Sequence, residues 1–277
     1  MPELPEVEYA RSVAERAAVG RRVRDVHVEE DAIVFENLPP DLLRKRLLGA
    51  EVRAARRKGK QLWLEIGSQG SLLIHLGMTG HLRTPDERRL KLAADTPLDD
   101  GRWPPRFAKL HLVFDDDGEL VFTNSRRFGR VRWRQDPRAE SPVADLGFDP
   151  LLEAPSVAEF QGMLSDRKGV IKSLLLNQRF VAGVGNWIAD EVLFRAGIDP
   201  RRRACDLTLD ESRALHESLG YVIEFAVSVD ADKRRFPDDW LFHRRWGKAA
   251  GVTTGGDAIE FVTIGGRTTA WVPSCQR

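Results

Sequence analysis

The sequence predicts an α+β protein of two domains. The first is expected to be an antiparallel β-sandwich carrying one N-terminal helix, the second helical with a closing β-hairpin. Three observations carry this. Leu4, Val7, Ala10, Val13, Ala14 and Ala17 recur at three- and four-residue spacing, as a buried helix face does. Short alternating runs separated by Gly, Pro and Asp then continue to about residue 133. Helical periodicity follows from 157 to 229, and two last alternating runs flank Gly265-Gly266. A length of 277 residues suits about two domains with cores of their own.

In order along the chain, Pro5 suits the first turn of the opening helix, where its missing N–H is not needed. Strands are expected at 23–28, 51–55, 61–66, 72–76, 109–114, 120–123 and 130–133, with a short helix at 41–48. Asp116-Asp117-Gly118 between two alternating runs signals a hairpin. The stretch 84–105 is rich in Pro, Asp and Arg and reads as a long loop. Four prolines in 136–155 mark the connection between a first domain at 1–135 and the helical second domain. Helices are expected at 157–165, 169–176, 186–196 and 210–229, and hairpin strands at 258–263 and 268–272.

Composition narrows the class. Hydrophobic residues make up 42%, and no apolar run approaches membrane-spanning length, so no membrane association is expected. The acidic, proline-containing start lacks a signal-peptide layout, which predicts a cytoplasmic protein, or a nuclear one in a eukaryote. Cys205 and Cys275 show no close pairing pattern and are expected as free thiols. Net charge is only +1, so any nucleic-acid surface must be local. Positive charge does cluster: 53–60, 126–134, 201–203, and Lys233, Arg234, Arg235, Arg244, Arg245 and Lys248. Acids concentrate elsewhere, as at 29–31 and 115–117. Each cluster alone also suits a solvated surface.

The chemistry begins at Pro2. Removal of Met1 exposes a secondary amine that can attack an aldehyde-level carbon and form an iminium ion with a fixed positive charge. Glu3 and Glu6, three apart, can share one side of the first helical turn and move protons. Pro-Glu alone also opens ordinary helices. The full string Met1-Pro2-Glu3-Leu4-Pro5-Glu6-Val7-Glu8, however, resembles the start of the formamidopyrimidine-DNA glycosylase family. That resemblance implies a bifunctional base-excision repair glycosylase and AP lyase. Pro2 would attack the deoxyribose C1′, Glu3 would be the general acid/base and Glu6 would support them.

The resemblance continues along most of the chain. Arg56-Arg57-Lys58-Gly59-Lys60 reads as a basic loop entering a strand, and Lys60 resembles the family lysine that contacts phosphate at the lesion. His75-Leu76-Gly77-Met78-Thr79-Gly80 and Ser125-Arg126-Arg127-Phe128-Gly129 are similar to the motifs that fill the stack vacated by a flipped nucleotide. Met78, Arg126 and Phe128 would fill that gap, with Arg127 on a phosphate; core packing is the alternative for Met78 and Phe128. The set points to purine lesions rather than to endonuclease VIII-like pyrimidine specificity.

The glycine turn before Asn186 resembles the family's helix–two-turn–helix, with Asn186 capping the second helix and holding phosphate. Lys172 in the preceding helix would point to solvent. The stretch 156–239 would form that DNA-binding part and 240–277 a finger. Only Cys275 remains where two Cys-x-x-Cys pairs are usual, and the third ligand aligns near Val272, so no zinc is expected. Arg267 persists, as in the zincless-finger branch, where a hydrophobic hairpin replaces the metal; here that implies Ile259, Phe261, Ile264 and Trp271. Lys60, Asn186 and Arg267 would converge on the backbone around the flipped nucleotide. The implied partner is damaged double-stranded DNA, the protein a monomer, the cofactors none. A DNA-binding protein without chemistry is the alternative, and the altered stretch 230–246 implies weak action on 8-oxoguanine.

Overall fold

The computed structural model describes residues 1–86, 101–246 and 251–277. Most of the loop expected at 84–105, and Lys248 of the last basic cluster, lie outside the described residues. The chain divides into two compact units, Met1–Asp145 and Leu146–Arg277.

The first unit opens with α1 (Leu4–Ala18), then β1 (Val23–Val28) and α2 (Pro40–Leu47). The strands β2 (Val52–Lys58), β3 (Gln61–Ile66), β4 (Gly70–His75), β5 (Gly80–Arg83), β6 (Ala108–Phe114), β7 (Glu119–Asn124) and β8 (Arg130–Arg134) come next. They form two four-stranded antiparallel sheets, ordered β1-β6-β7-β5 and β2-β3-β4-β8. Inner faces of both sheets contribute to one core with α1 and α2: Val7, Val13, Leu43 and Leu47 meet Leu62, Leu64, Leu72, Leu110, Phe114 and Phe122. Burial at alternate positions is how a strand serves one core. This is the sandwich with one N-terminal helix that the periodicity predicts.

Two expectations need correction. The strand expected at 51–55 runs on to Lys58, so Arg56, Arg57 and Lys58 belong to a strand rather than a loop. Lys58 pairs with Gln61, leaving Gly59-Lys60 as a two-residue turn. Gly59 supplies the positive φ (54°) that such a turn needs at its first position. In addition, β5 has no counterpart among the expected strands. Its four residues give too short a run for alternation to register.

The second unit holds α3 (Val157–Ser165), α4 (Ile171–Leu176), α5 (Asn186–Arg195) and α6 (Leu209–Ser228). Capping boxes open two of them: Ser156 with Glu159, and Thr208 with Glu211. A three-stranded antiparallel sheet is built from β9 (Gly251–Val252), β10 (Ala258–Ile264) and β11 (Arg267–Trp271), in the order β11-β10-β9. The proline-rich stretch 136–155 is not all connection. Phe148 stacks edge-on with Phe160 and Phe180 at about 6 Å, inside the second unit.

The hairpin's apolar cluster differs in part from the expected one. Ile259 joins Leu241, Ala270 and Val272, with Phe194 and Phe261 partly buried against them. Ile264 and Trp271 are buried outside that cluster. Val272, where a third thiolate ligand would align, is a core residue with no exposure. Among the described residues no group of three or more His, Cys, Asp and Glu is placed to hold a metal ion. Because Cys275 alone remains of the expected thiol ligands, strong chelators are expected to leave the melting temperature unchanged, and purified protein to contain no stoichiometric zinc. Elemental analysis and a thermal melt with and without chelator check this.

Candidate active site and nucleic-acid interface

Pro2 and Glu3 are buried at the start of α1, and Met1 is exposed. Glu6 Oε2 accepts a hydrogen bond from Glu3 N (3.0 Å), which closes a capping box and fixes the backbone beside Pro2. Burial, reinforced by the Glu3 charge, pushes the Glu6 carboxyl up to about 7. Near neutral pH it therefore carries a proton much of the time, which limits the negative charge packed around Pro2.

Arg57 links this helix to the turn that bears Lys60. Its side chain is fully buried; Nε donates to Glu8 Oε2 of α1 (2.8 Å) and Nη1 to Gly59 O (3.2 Å). Lys60 follows in that turn, itself buried. His75 lies across the sheet, paired with Gln61. Burial and then the Lys60 charge push His75 down to about 4, so its imidazole is neutral and Nδ1 accepts from Gly77 N (3.2 Å).

The two loops beyond these strands are built as one object. Asn124, fully buried at the end of β7, donates from Nδ2 to Leu76 O (3.0 Å) and accepts at Oδ1 from Gly129 N (3.0 Å). Thr79 Oγ1 accepts from Ser125 Oγ (3.1 Å) and Arg126 N (3.3 Å). Gly77 is indispensable here: φ is 65°, and a Cβ would lie 2.4 Å from the backbone of Phe128 and Gly129. From this platform Met78 (37% exposed) and Phe128 (50% exposed) project outward, with the Arg126 guanidinium 5.1 Å from the Phe128 ring. Core packing is thereby excluded for both apolar residues.

Arg127 is held differently. Its guanidinium forks onto the buried Asp31 carboxylate (2.9 Å twice), which Lys109 also approaches at 3.0 Å. Burial opposes ionisation of Asp31, but hydrogen bonds from Arg127, Lys109 and the Val34 amide outweigh it and hold the carboxyl well below the usual range. Basic and acidic clusters that are separate in sequence thus interleave in space. Arg130 and Arg132 likewise share Glu36 (3.0 and 2.6 Å).

In the second unit, Asn186 is the first residue of α5 and Gly185 is its N-cap. The expected capping role fails because Asn186 lies one residue past the cap; its Nδ2 donates to Thr268 O (2.7 Å). Arg267 is exposed beside that carbonyl, so these two residues of the predicted site are neighbours. Lys172 is not solvent-exposed. It is fully buried, paired with Asp190, and donates to Asn186 O (3.0 Å).

Sequence reasoning misses Arg57, Asp31, Asn124, Asp190 and Glu191. A signal exists for the last two, adjacent acids inside the apolar run 187–194. Glu191 Oε2 accepts from Phe242 N (2.8 Å), and its other oxygen is buried without a hydrogen bond. Burial pushes this carboxyl up to about 8 from 4.5. The fold thus binds a proton more readily than the unfolded chain does. The stability this confers is complete below pH 4.5 and is lost as pH rises through about 8. Glu191→Gln keeps an acceptor for Phe242 N. In urea melts across pH 5–9 the variant is expected to lose most of that slope, and to exceed the parent at pH 9 by on the order of a few kcal/mol.

Family models describe the same two parts. The formamidopyrimidine-DNA glycosylase N-terminal domain matches residues 1–131, and the H2TH domain of that glycosylase matches residues 146–238. A formamidopyrimidine-DNA glycosylase of Arabidopsis thaliana is 42% identical over all of this chain and 71% of its own length. One from Pelobacter propionicus is 35% identical over the full length of both. Among solved structures, Lactococcus lactis Fpg bound non-covalently to DNA containing an AP site superposes with a TM-score of 0.80 at 27% identity, covering 99% of each chain. MutM with carbocyclic 8-oxo-G DNA also gives 0.80 at 27%, covering both chains fully. A two-domain fold of this kind, with a buried Pro-Glu start and an exposed Met–Arg–Phe platform, defines a class. The chain belongs to the formamidopyrimidine-DNA glycosylase family.

Proposed function

We propose that this chain is a bifunctional DNA glycosylase and AP lyase of base-excision repair, acting on oxidised or ring-opened purines in duplex DNA. The observation that carries this is the outward-facing set Met78, Arg126 and Phe128 on two loops pinned by Asn124. Such a set suits a vacated base stack: an unbranched apolar chain, a guanidinium that can bond the orphaned base, and an aromatic wedge. Lys60, Arg127, Asn186 and Arg267 are assigned to phosphates around the flipped nucleotide, with Arg267 presented by its hairpin.

In the reaction, the Pro2 nitrogen bonds to C1′ as the glycosidic bond breaks, and the departing base takes a proton. Glu3 serves as the acid/base, with Glu6 supporting it. The Pro2 nitrogen gives up its proton, and the C1′–O4′ bond breaks as O4′ takes one, which opens the sugar ring to an iminium that acidifies the C2′ proton. Its loss expels the 3′ phosphate by β-elimination; a second elimination expels the 5′ phosphate, and water releases Pro2. Pro2 must first be freed from Met1, because in peptide linkage its nitrogen is a non-nucleophilic amide.

Borohydride trapping on a panel of defined lesions tests the reading. Covalent adducts are expected with formamidopyrimidine and abasic duplexes, weaker ones with 8-oxoguanine. Preference for oxidised pyrimidines would place the chain with endonuclease VIII-like enzymes instead. Binding without any trapped adduct would mean recognition without chemistry.

A further inference from the structure

The hairpin that carries Arg267 has two unlike ends. Ala270, Trp271 and Val272 are buried at its base, whereas Gly265, Gly266 and Arg267 at the turn are exposed. Apolar packing reaches Ile264, and the three residues of the turn lie beyond it. Ile264 pairs with Arg267, so 267, 269 and 271 turn their backbone groups to β10, and 268 and 270 turn theirs to the outer edge.

That edge is met by side chains of α5. Asn186 donates to Thr268 O (2.7 Å), and Asp190 Oδ2 accepts from Ala270 N (3.2 Å). The spacing explains the match. Residues one turn apart on a helix rise about 6 Å, close to the roughly 6.7 Å between alternate strand residues. One helix face thus reads two successive outward groups of β11.

Asp190 has no exposure, and a lone carboxylate there would be prohibitive. Two cations neutralise it: Lys172 of α4 and Arg245, whose Nε and Nη2 lie 3.0 and 2.7 Å from Oδ2. Lys172 also holds Asn186 O (3.0 Å), which ties the second rung to the first. The next residue on α4, Ser173, abuts the turn: a Cβ on Gly265 would lie 2.8 Å from its Oγ. Four segments of the second unit are thus referenced to one carboxylate.

We propose that Asp190, held by Lys172 and Arg245, is the positioning residue that sets the Arg267 turn in register and so presents its guanidinium to DNA phosphate. The DNA half of this statement rests on the proposed function; the anchoring half does not. Two measurements separate them. Amide hydrogen exchange at residues 266–270 is expected to accelerate in Asp190→Asn while that of α6 is unchanged. Unaltered protection of those amides overturns the anchor, whatever DNA does.

The second measurement is a binding cycle on an abasic-analogue duplex. Arg267→Ala should lower the salt slope by about one unit. Asp190→Asn should produce the same loss, and the double variant no further loss, because both remove one interaction. Additive losses, or a full slope in folded Asp190→Asn, overturn the proposal. If that variant does not fold, Arg245→Gln is carried through both measurements with the same criteria. If Arg267→Ala leaves binding unchanged while exchange still accelerates, the phosphate assignment of Arg267 fails and the anchor stands.

Discussion

Pro2→Gly is expected to lose at least about a hundredfold of borohydride-trapped adduct on damaged duplex, equivalent to about 2.7 kcal/mol of barrier. A glycine amine can still condense with an aldehyde, but its imine can shed the N–H proton and with it the charge that draws electrons from C1′ and C2′. Pro2 is buried one residue before the cap of α1. Mass spectrometry of the same sample is expected to show that Met1 is gone, since retained Met1 silences the site by itself. Undiminished trapping in processed Pro2→Gly protein would assign the nucleophile to another amine.

Asn124→Ala is expected to reduce incision by about a hundredfold while lowering the melting temperature by only several degrees. The substitution strands the buried Gly129 N–H, at about 1–3 kcal/mol, whereas Leu76 O keeps its bond from Gly80 N (2.8 Å). What is lost is the tie between the loop of Met78 and the loop of Arg126 and Phe128. A misplacement of about 1 Å at such a site can cost about a hundredfold in rate. Single-turnover incision beside a thermal melt separates the two effects. Equal, severe losses in both would mean that Asn124 supports the fold at large.

The fold class is legible in the sequence because it arises from local pattern. The opening helix, the strand at 23–28, the strand at 61–66 and the helix at 157–165 depend on periodicity and caps that lie within each segment. The features that escape such reading depend on partners far away in sequence. Arg56 to Lys58 look like a loop because charged residues seldom serve a core; Arg57 does so paired with Glu8, 49 positions earlier. Lys172 looks like a surface lysine because its carboxylate lies 18 residues on. Asn186 looks like a cap because nothing local announces that Gly185 takes that position and that the Asn186 amide reaches Thr268 O. The site residues stand out through resemblance of short motifs. The groups that hold them, Asp31, Asn124, Arg57 and Asp190, do not, because a supporting residue has meaning only once its neighbours are folded.

The pairing of α5 with the outer side of β11 has a consequence for how copies of this protein behave towards one another. A three-stranded sheet ordinarily ends in two open rows of backbone groups, each a template on which a foreign strand can add. Here one row, the outer side of β11, is occupied at Thr268 and Ala270 by helix side chains. That side of the small sheet is therefore closed to growth. A neighbouring chain finds no continuous row of free backbone groups along β11 to extend.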